Sequence, residues 1–301
     1  MSKAEVTNHN QWLNEFASNV NSQEGEDGII AKALDVIKEN DCWCVEFGAW
    51  DGKHLSNTYN LIAKKNYSAV LIEGDQKRLK DLQKNFQSNK RVHPINAFVG
   101  FEENDNLDLL LRNTDIPINF DVLSIDIDGN DYHVWEAVRH YKPKIVVIEY
   151  NPTIPNAVEF IQSRDMQITQ GSSISAINKL AKSKGYELVA TTRLNAIFVD
   201  SKYFDLFEIE DNSIETLRTD LSEVTYIFNG YDGTVFVRGC GRLHWHNIPY
   251  KENKMQQVPK WLRKYPGNYG LLKKVFAKIY RYLCGAQCSR IVATKASIED
   301  R

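Results

Sequence analysis

The sequence predicts an α/β protein with a doubly wound, mostly parallel seven-stranded sheet and a C-terminal extension. Three observations predict it. Short apolar, β-favouring runs alternate with helical patterns between residues 26 and 202, the mark of successive strand–helix–strand units. The first run, at 42–47, ends in an acid followed by spaced glycines, as where a strand hands over to a nucleotide-binding turn. The runs at 120–127 and 144–149 are largely apolar, as strands buried on both faces require.

Each element has its own signal. Ile29, Ile30, Ala33, Leu34 and Ile37 recur at helical spacing within 26–39. A strand is expected at 42–49, a helix at 54–65 and a second strand at 68–74. A charged helix follows at 76–88 with Leu79, Leu82 and Phe86 inward, then a strand at 92–99 and a short helix at 105–113. The fourth strand (120–127), a helix (131–140) and the fifth strand (144–149) come next. A helix at 173–184 starts on Ser172 or Ser173 as N-cap and stops at Gly185. Residues 186–191 and 196–199 read as strands close enough to pair antiparallel. Right-handed crossovers turn this order into a sheet with helices on both faces.

Glu46, Gly48, Trp50 and Gly52 stand at steps of two, and about twenty residues later the second strand ends at Glu73. An acid at that tip is placed to take both hydroxyls of a ribose. A dinucleotide site wants a third glycine where Trp50 stands, and Glu46 would repel a pyrophosphate. A cofactor carrying a sulfonium and an ammonium is instead attracted. Here the sequence resembles the class I methyltransferases, whose first motif is an acid followed by glycines at steps of two. The resemblance spans residues 26–202 and implies S-adenosylmethionine as cofactor. The expected cofactor-binding set is Glu46, Phe47, Gly48, Trp50, Asp51, Gly52, Glu73 and Asp126. An NAD-linked oxidoreductase of Rossmann type is the alternative, since Glu73 would serve it too.

In open α/β sheets ligands bind beyond the carboxyl ends of the strands. There the sequence places Asp126-Ile127-Asp128-Gly129-Asn130-Asp131 after the fourth strand and Glu149-Tyr150-Asn151-Pro152 after the fifth. Three readings stay open. Asp128, Glu149 and Asn151 are oxygen ligands of the kind that Mg2+ or Mn2+ takes. Asp128 or Asp131 is a general base without a metal. Or Asp-Gly-Asn-Asp is a turn that caps the next helix. His133 is a further base candidate against a plain surface histidine. His244 and His246 flank Trp245 like alternating strand residues, which would put both imidazoles on one face. Trp50, Trp135 and Trp245 could stack on sugar faces, with core packing as the default for each.

The segments 45–52, 71–75, 124–135 and 146–151 together look like the FkbM-type methyltransferase family, whose strand-four motif also ends in an Asp-x-Asp-Gly-like turn. Gly25-Glu26-Asp27-Gly28-Ile29-Ile30 resembles a leader found before the first motif in bacterial members. The resemblance implies O-methylation of sugars or glycan-type acceptors, as in polysaccharide modification. A non-sugar small molecule or RNA is the alternative acceptor.

The rest sets bounds. With 301 residues, 43% hydrophobic and 25% charged, this is ordinary globular composition. No run approaches the roughly 20 apolar residues that span a bilayer, and the start of the chain lacks a signal-peptide pattern. Five cysteines without paired spacing argue for a reducing compartment. The expected location is cytoplasmic. Expected divisions are a polar, helical leader (1–25), the cofactor domain (26–202), a β-rich acceptor-side extension (203–257) and a basic amphipathic segment (258–301). In the extension, 225–228 and 234–237 flank a Gly-containing loop and read as a hairpin. Residues 251–290 hold ten Lys/Arg and one acid over an apolar helical stripe. That pattern suits a peripheral site on an anionic membrane or another anionic surface, or a helix docked on the body. Nucleic acid is not an expected partner.

Overall fold

The computed structural model describes residues 9–296, with side chains given up to residue 284. The outermost ends of the expected leader (1–8) and of the basic segment (297–301) lie outside the described residues. Two units are distinct, one ending at Leu221 and one starting at Ser222.

The first unit holds a seven-stranded sheet: β1 (Trp43–Phe47), β2 (Ser68–Glu73), β3 (Val92–Asn96), β4 (Val122–Ile125), β5 (Ile145–Glu149), β6 (Tyr186–Thr191) and β7 (Asn195–Asp200). Its order is β3-β2-β1-β4-β5-β7-β6. The first five strands run parallel and β7 is antiparallel to both β5 and β6. This is the strand order and the one reversed strand of the class I methyltransferase fold.

The pleat sends alternate residues to opposite faces, and each face has its own core. On one face Val45, Phe47, Leu123, Ile125, Val146 and Ile148 pack against α4 (Leu107–Leu111), α5 (Asp131–Ala137) and α6 (Ile174–Ser183). Trp135 is 1% exposed and lies against Tyr186 and Phe198, so it is core and not a sugar platform. On the other face Cys44, Ala69, Leu71, Val122, Ile145 and Val147 meet α1 (Glu26–Ile37), α2 (Tyr59–Lys64) and α3 (Gln76–Phe86). Ser173 caps α6 by accepting from the Ala176 N–H at 3.2 Å, and Gly185 ends that helix with φ 77°.

Residues 201–217 belong to the first unit. Phe207 is fully buried in the core beside α1, and α7 (Ile214–Leu217) adds Leu217 to the opposite core. The leader is tied to the same region: Trp12 donates to the Phe207 carbonyl at 2.8 Å and Asn14 to the Thr191 carbonyl at 3.0 Å. At the amino ends of the strands, Lys144 Nζ lies 2.7 Å from Asp121 and 2.5 Å from Asp41. Asp121 also accepts from the backbone N–H groups of Asp41 and Cys42.

The second unit carries the expected hairpin as β8 (Thr225–Asn229) and β9 (Val235–Gly239), in antiparallel register with Asn229 opposite Val235. Phe228 stacks on Phe236 across it, with centroids 5.5 Å apart. His244, Trp245 and His246 do not form a strand. They occupy the turn between the two-residue strands β10 (Arg242–Leu243) and β11 (Ile248–Pro249). His244 Nδ1 is 2.7 Å from a Glu223 carboxylate oxygen, so a hydrogen bond from a turn replaces the expected pair of imidazoles on one face. The last element is the long helix α8 (Leu271–Ala296).

Candidate functional site

The turn after β1 is built from close approaches. Gly48 has φ 72°, and a Cβ there would lie 1.9 Å from the Asp126 carbonyl oxygen, so only glycine lets the ends of β1 and β4 meet. Trp50 takes a left-handed φ of 51°, the conformation a glycine would adopt at that step. Its half-open ring lies under the Arg78 guanidinium, 3.8 Å from the centroid, and its N–H donates to Glu73 at 2.8 Å. Asp51 accepts from the N–H groups of Lys53 and His54, which closes the next turn. Phe47 is core.

The acids at the strand ends divide into two sets. Glu46, 5% exposed, accepts from Ser56 Oγ (2.5 Å), the Asn57 N–H (2.9 Å) and Thr58 Oγ1 (2.7 Å). This explains a difference from the expected helix at 54–65. The donors of 56–58 go to Glu46, and the helix starts only at Tyr59. Burial raises the Glu46 carboxyl above its usual range against those hydrogen bonds. Asp131 is 3% exposed and accepts from the N–H groups of Ile127 (3.0 Å) and Gly129 (2.9 Å). It braces the loop after β4, so the expected role of free base does not suit its position. His133 is buried as well: Nε2 is 2.9 Å from the Gln162 carbonyl, and its ring meets Phe101 and Tyr132 edge-on. It is neither a surface histidine nor open to an acceptor.

Asp126, Asp128 and Glu149 form the other set. Each offers one oxygen, and these oxygens lie within 4.8 Å of one another. Among the described residues, no protein donor is hydrogen-bonded to any of the three. Asp126 and Asp128 are open to solvent and Glu149 is half-buried. The side chain of Asn151, expected as the third ligand, is engaged by its own neighbours. Its Oδ1 accepts from the Thr153 N–H (2.9 Å) and hydroxyl (2.6 Å), and its Nδ2 donates to the Gln170 carbonyl (2.7 Å). Asp126 is the third carboxylate of the cluster, and the loop after β4 turns back at Asp128, whose φ is 57°.

The Asp126 side chain reaches solvent but sits among packed strand ends, and the partial loss of hydration there, then repulsion from Asp131 and Asp128, raises it to about 7. Burial raises Asp131 to about 6, and burial with the charges of Asp126 and Asp131 raises Glu149 well above the usual range. These folded-state values exceed those of unfolded carboxylates, roughly 4. Between about pH 4 and 7 the native state therefore holds protons that the unfolded chain has released, and stability falls as pH rises through that window. In EDTA, the melting temperature is expected to be higher near pH 5 than near pH 7.5. Scanning calorimetry checks this, and a flat or opposite trend contradicts the crowding of these acids.

Several contributors carry no sequence signal. Arg218, 2% exposed, donates to the carbonyls of Ile154 and Pro152 and lies over the Tyr150 ring, fixing the loop after β5. Gln162 Oε1 accepts from the N–H groups of Gln170 and Gly171, which shapes the long segment between β5 and α6. Phe98, after β3, is 72% exposed, and its ring occupies the place a Cβ of Gly74 would take, next to Glu73. Glu73 accepts from Trp50 and Asp75 N–H groups, one on each oxygen. A carboxylate has about four acceptor positions, so roughly two remain for hydroxyl donors such as those of a ribose.

No protein-family model matches the chain, and no curated protein matches it. Solved structures with similar folds include the N-terminal domain of EvdMO1 with SAH bound, at 9% identity and TM-score 0.39, covering 60% of this chain and 82% of that one. TrmK of M. capricolum, in complex with S-adenosyl-homocysteine, matches at 15% identity and TM-score 0.33, covering 56% and 66%. The CurJ carbon methyltransferase matches at 12% identity and TM-score 0.39, covering 58% and 52%. The fold is read from the strand order above. At these identities and scores, nothing about activity passes from those proteins to this chain.

Proposed function

We propose that this chain is an S-adenosylmethionine-dependent methyltransferase acting on a hydroxyl of a sugar or glycan-type acceptor. The split among the acids carries the reading. Glu46 and Asp131 are occupied by the protein's own donors, whereas Asp126, Asp128 and Glu149 accept none among the described residues. A site whose uncommitted groups are all carboxylates favours ligands rich in cationic charge and hydroxyl donors. It disfavours the pyrophosphate of NAD and the phosphates of RNA for the same reason.

S-adenosylmethionine would supply an activated methyl group on a sulfonium. The free acceptor positions of Glu73 suit its ribose, and Phe98 offers an apolar face beside them. The protein's remaining tasks are alignment and proton removal. Asp128 stands past the end of β4, open to solvent, so an acceptor hydroxyl can reach it. Its carboxylate orients that hydroxyl by accepting its hydrogen bond and takes the proton as the oxygen becomes nucleophilic. Asp126 and Glu149 accept from neighbouring hydroxyls of a polyol.

A metal-assisted version is favoured by one observation, the three carboxylate oxygens within 4.8 Å. They are hard donors that fit Mg2+ or Mn2+ in kind. A bound ion would lower the pKa of the acceptor hydroxyl.

Titration calorimetry tests the cofactor assignment. Glu73→Gln removes a charge while keeping the side chain's size. It should weaken S-adenosylmethionine by about tenfold or more, since a charge-assisted hydrogen bond contributes roughly 1.5–3 kcal/mol. Unchanged affinity would remove Glu73 from the cofactor site.

A further inference from the structure

We propose that α8 docks the second unit on an anionic phospholipid bilayer, lying in the plane of the interface. Its sequence from Leu271 to Ala296 contains no Asp or Glu. Leu271, Leu272, Val275, Phe276, Ile279 and Leu283 are each more than half exposed. At 100° per residue they fall within an arc of about 140°. Lys273, Lys274, Lys278 and Arg281 fall on the rest of the circumference. An exposed apolar stripe whose helix carries cations and no acids is complementary to acyl chains under anionic headgroups.

The helix is also held in a manner that leaves this stripe open. Tyr280, on the side away from the stripe's centre, donates to the Gln257 carbonyl at 2.5 Å. Trp261 meets Phe276 edge-on at 5.8 Å at one border of the stripe, and is itself 54% exposed. A half-exposed tryptophan at the edge of an apolar face is the side chain that settles at headgroup level. No helix of the described residues is long and apolar enough to cross a membrane, and an in-plane mode needs none.

Vesicle co-sedimentation tests the proposal on the full chain. Vesicles of phosphatidylcholine with about 30% phosphatidylserine should pull the protein down at about 0.1 M salt, and pure phosphatidylcholine should not. Raising the salt to about 0.5 M should release it. Lys273→Glu with Lys274→Glu and Lys278→Glu should lower partitioning at least about tenfold. Leu271→Ser with Leu272→Ser should also weaken it, and these positions are 85% and 77% exposed, so folding is spared. Both variants should bind S-adenosylmethionine like the wild type, which separates failure here from failure of the methyltransferase reading. Absence of binding to either vesicle overturns the proposal. So does equal binding to both vesicles that the lysine changes leave intact. A concentration-dependent dimer abolished by Leu271→Ser with Leu272→Ser, without vesicle binding, overturns it in favour of pairing between copies of the chain.

Discussion

Asp128→Asn is expected to cut methyl transfer by about 10²–10⁴-fold while leaving S-adenosylmethionine affinity within about twofold. The substitution isolates the chemistry. Asp128 has φ 57°, a left-handed conformation that asparagine adopts as readily as aspartate, so the turn after β4 survives. No protein hydrogen bond to the carboxylate is lost, because none of the described residues makes one. What disappears is the carboxylate that the proposed reaction uses as its base. Production of S-adenosylhomocysteine with a sugar acceptor measures the loss, and it should fall in kcat more than in cofactor binding. A variant with full activity would take Asp128 out of the reaction. Full activity of the wild type in excess EDTA would eliminate the metal-assisted version while leaving the base in place.

Asp121→Ala should destabilise the first unit by about 3–5 kcal/mol. Asp121 is fully buried and Lys144 is 4% exposed. Removing the carboxylate leaves the ammonium with only Asp41, which is near the surface, and strips the Asp41 and Cys42 N–H groups of their acceptor. Both losses are unpaired-group costs, larger than the net worth of the original ion pair. Adding Lys144→Met should recover part of the loss, since the stranded charge goes with it. Urea unfolding of the three variants measures this. A single-variant cost under about 1 kcal/mol would mean that the cluster is hydrated and loosely coupled.

Local pattern carried most of the architecture. The apolar runs, the Ser173 cap, the Gly185 stop and the 225–237 hairpin are decided by residues near one another, and all stand where the pattern placed them. Most of the misses trace to hydrogen-bond partners that a local pattern does not show. Residues 56–58 fall within the expected helix, but Glu46 takes their donors. Asn151 has the right chemistry for a ligand, but Thr153 and Gln170 use its side chain. His133 looks amphipathic on a helix, yet the Gln162 segment covers it. The alternation of His244, Trp245 and His246 is real, but a four-residue turn is all the chain allows there. The change of unit at 221 rather than 202 depends on Phe207 and Leu217 entering the cores, and a buried Arg218 gives no sign of itself in one dimension.

The central claim is that an acid-lined mouth on this fold takes a cationic methyl donor and not a dinucleotide. Titration calorimetry of the wild-type protein with S-adenosylmethionine and NAD+, side by side, tests it most directly. The account predicts saturable binding of S-adenosylmethionine, with NAD+ binding at least about a hundredfold weaker because an acid-lined mouth disfavours a pyrophosphate. Saturable NAD+ binding with none for S-adenosylmethionine would contradict it.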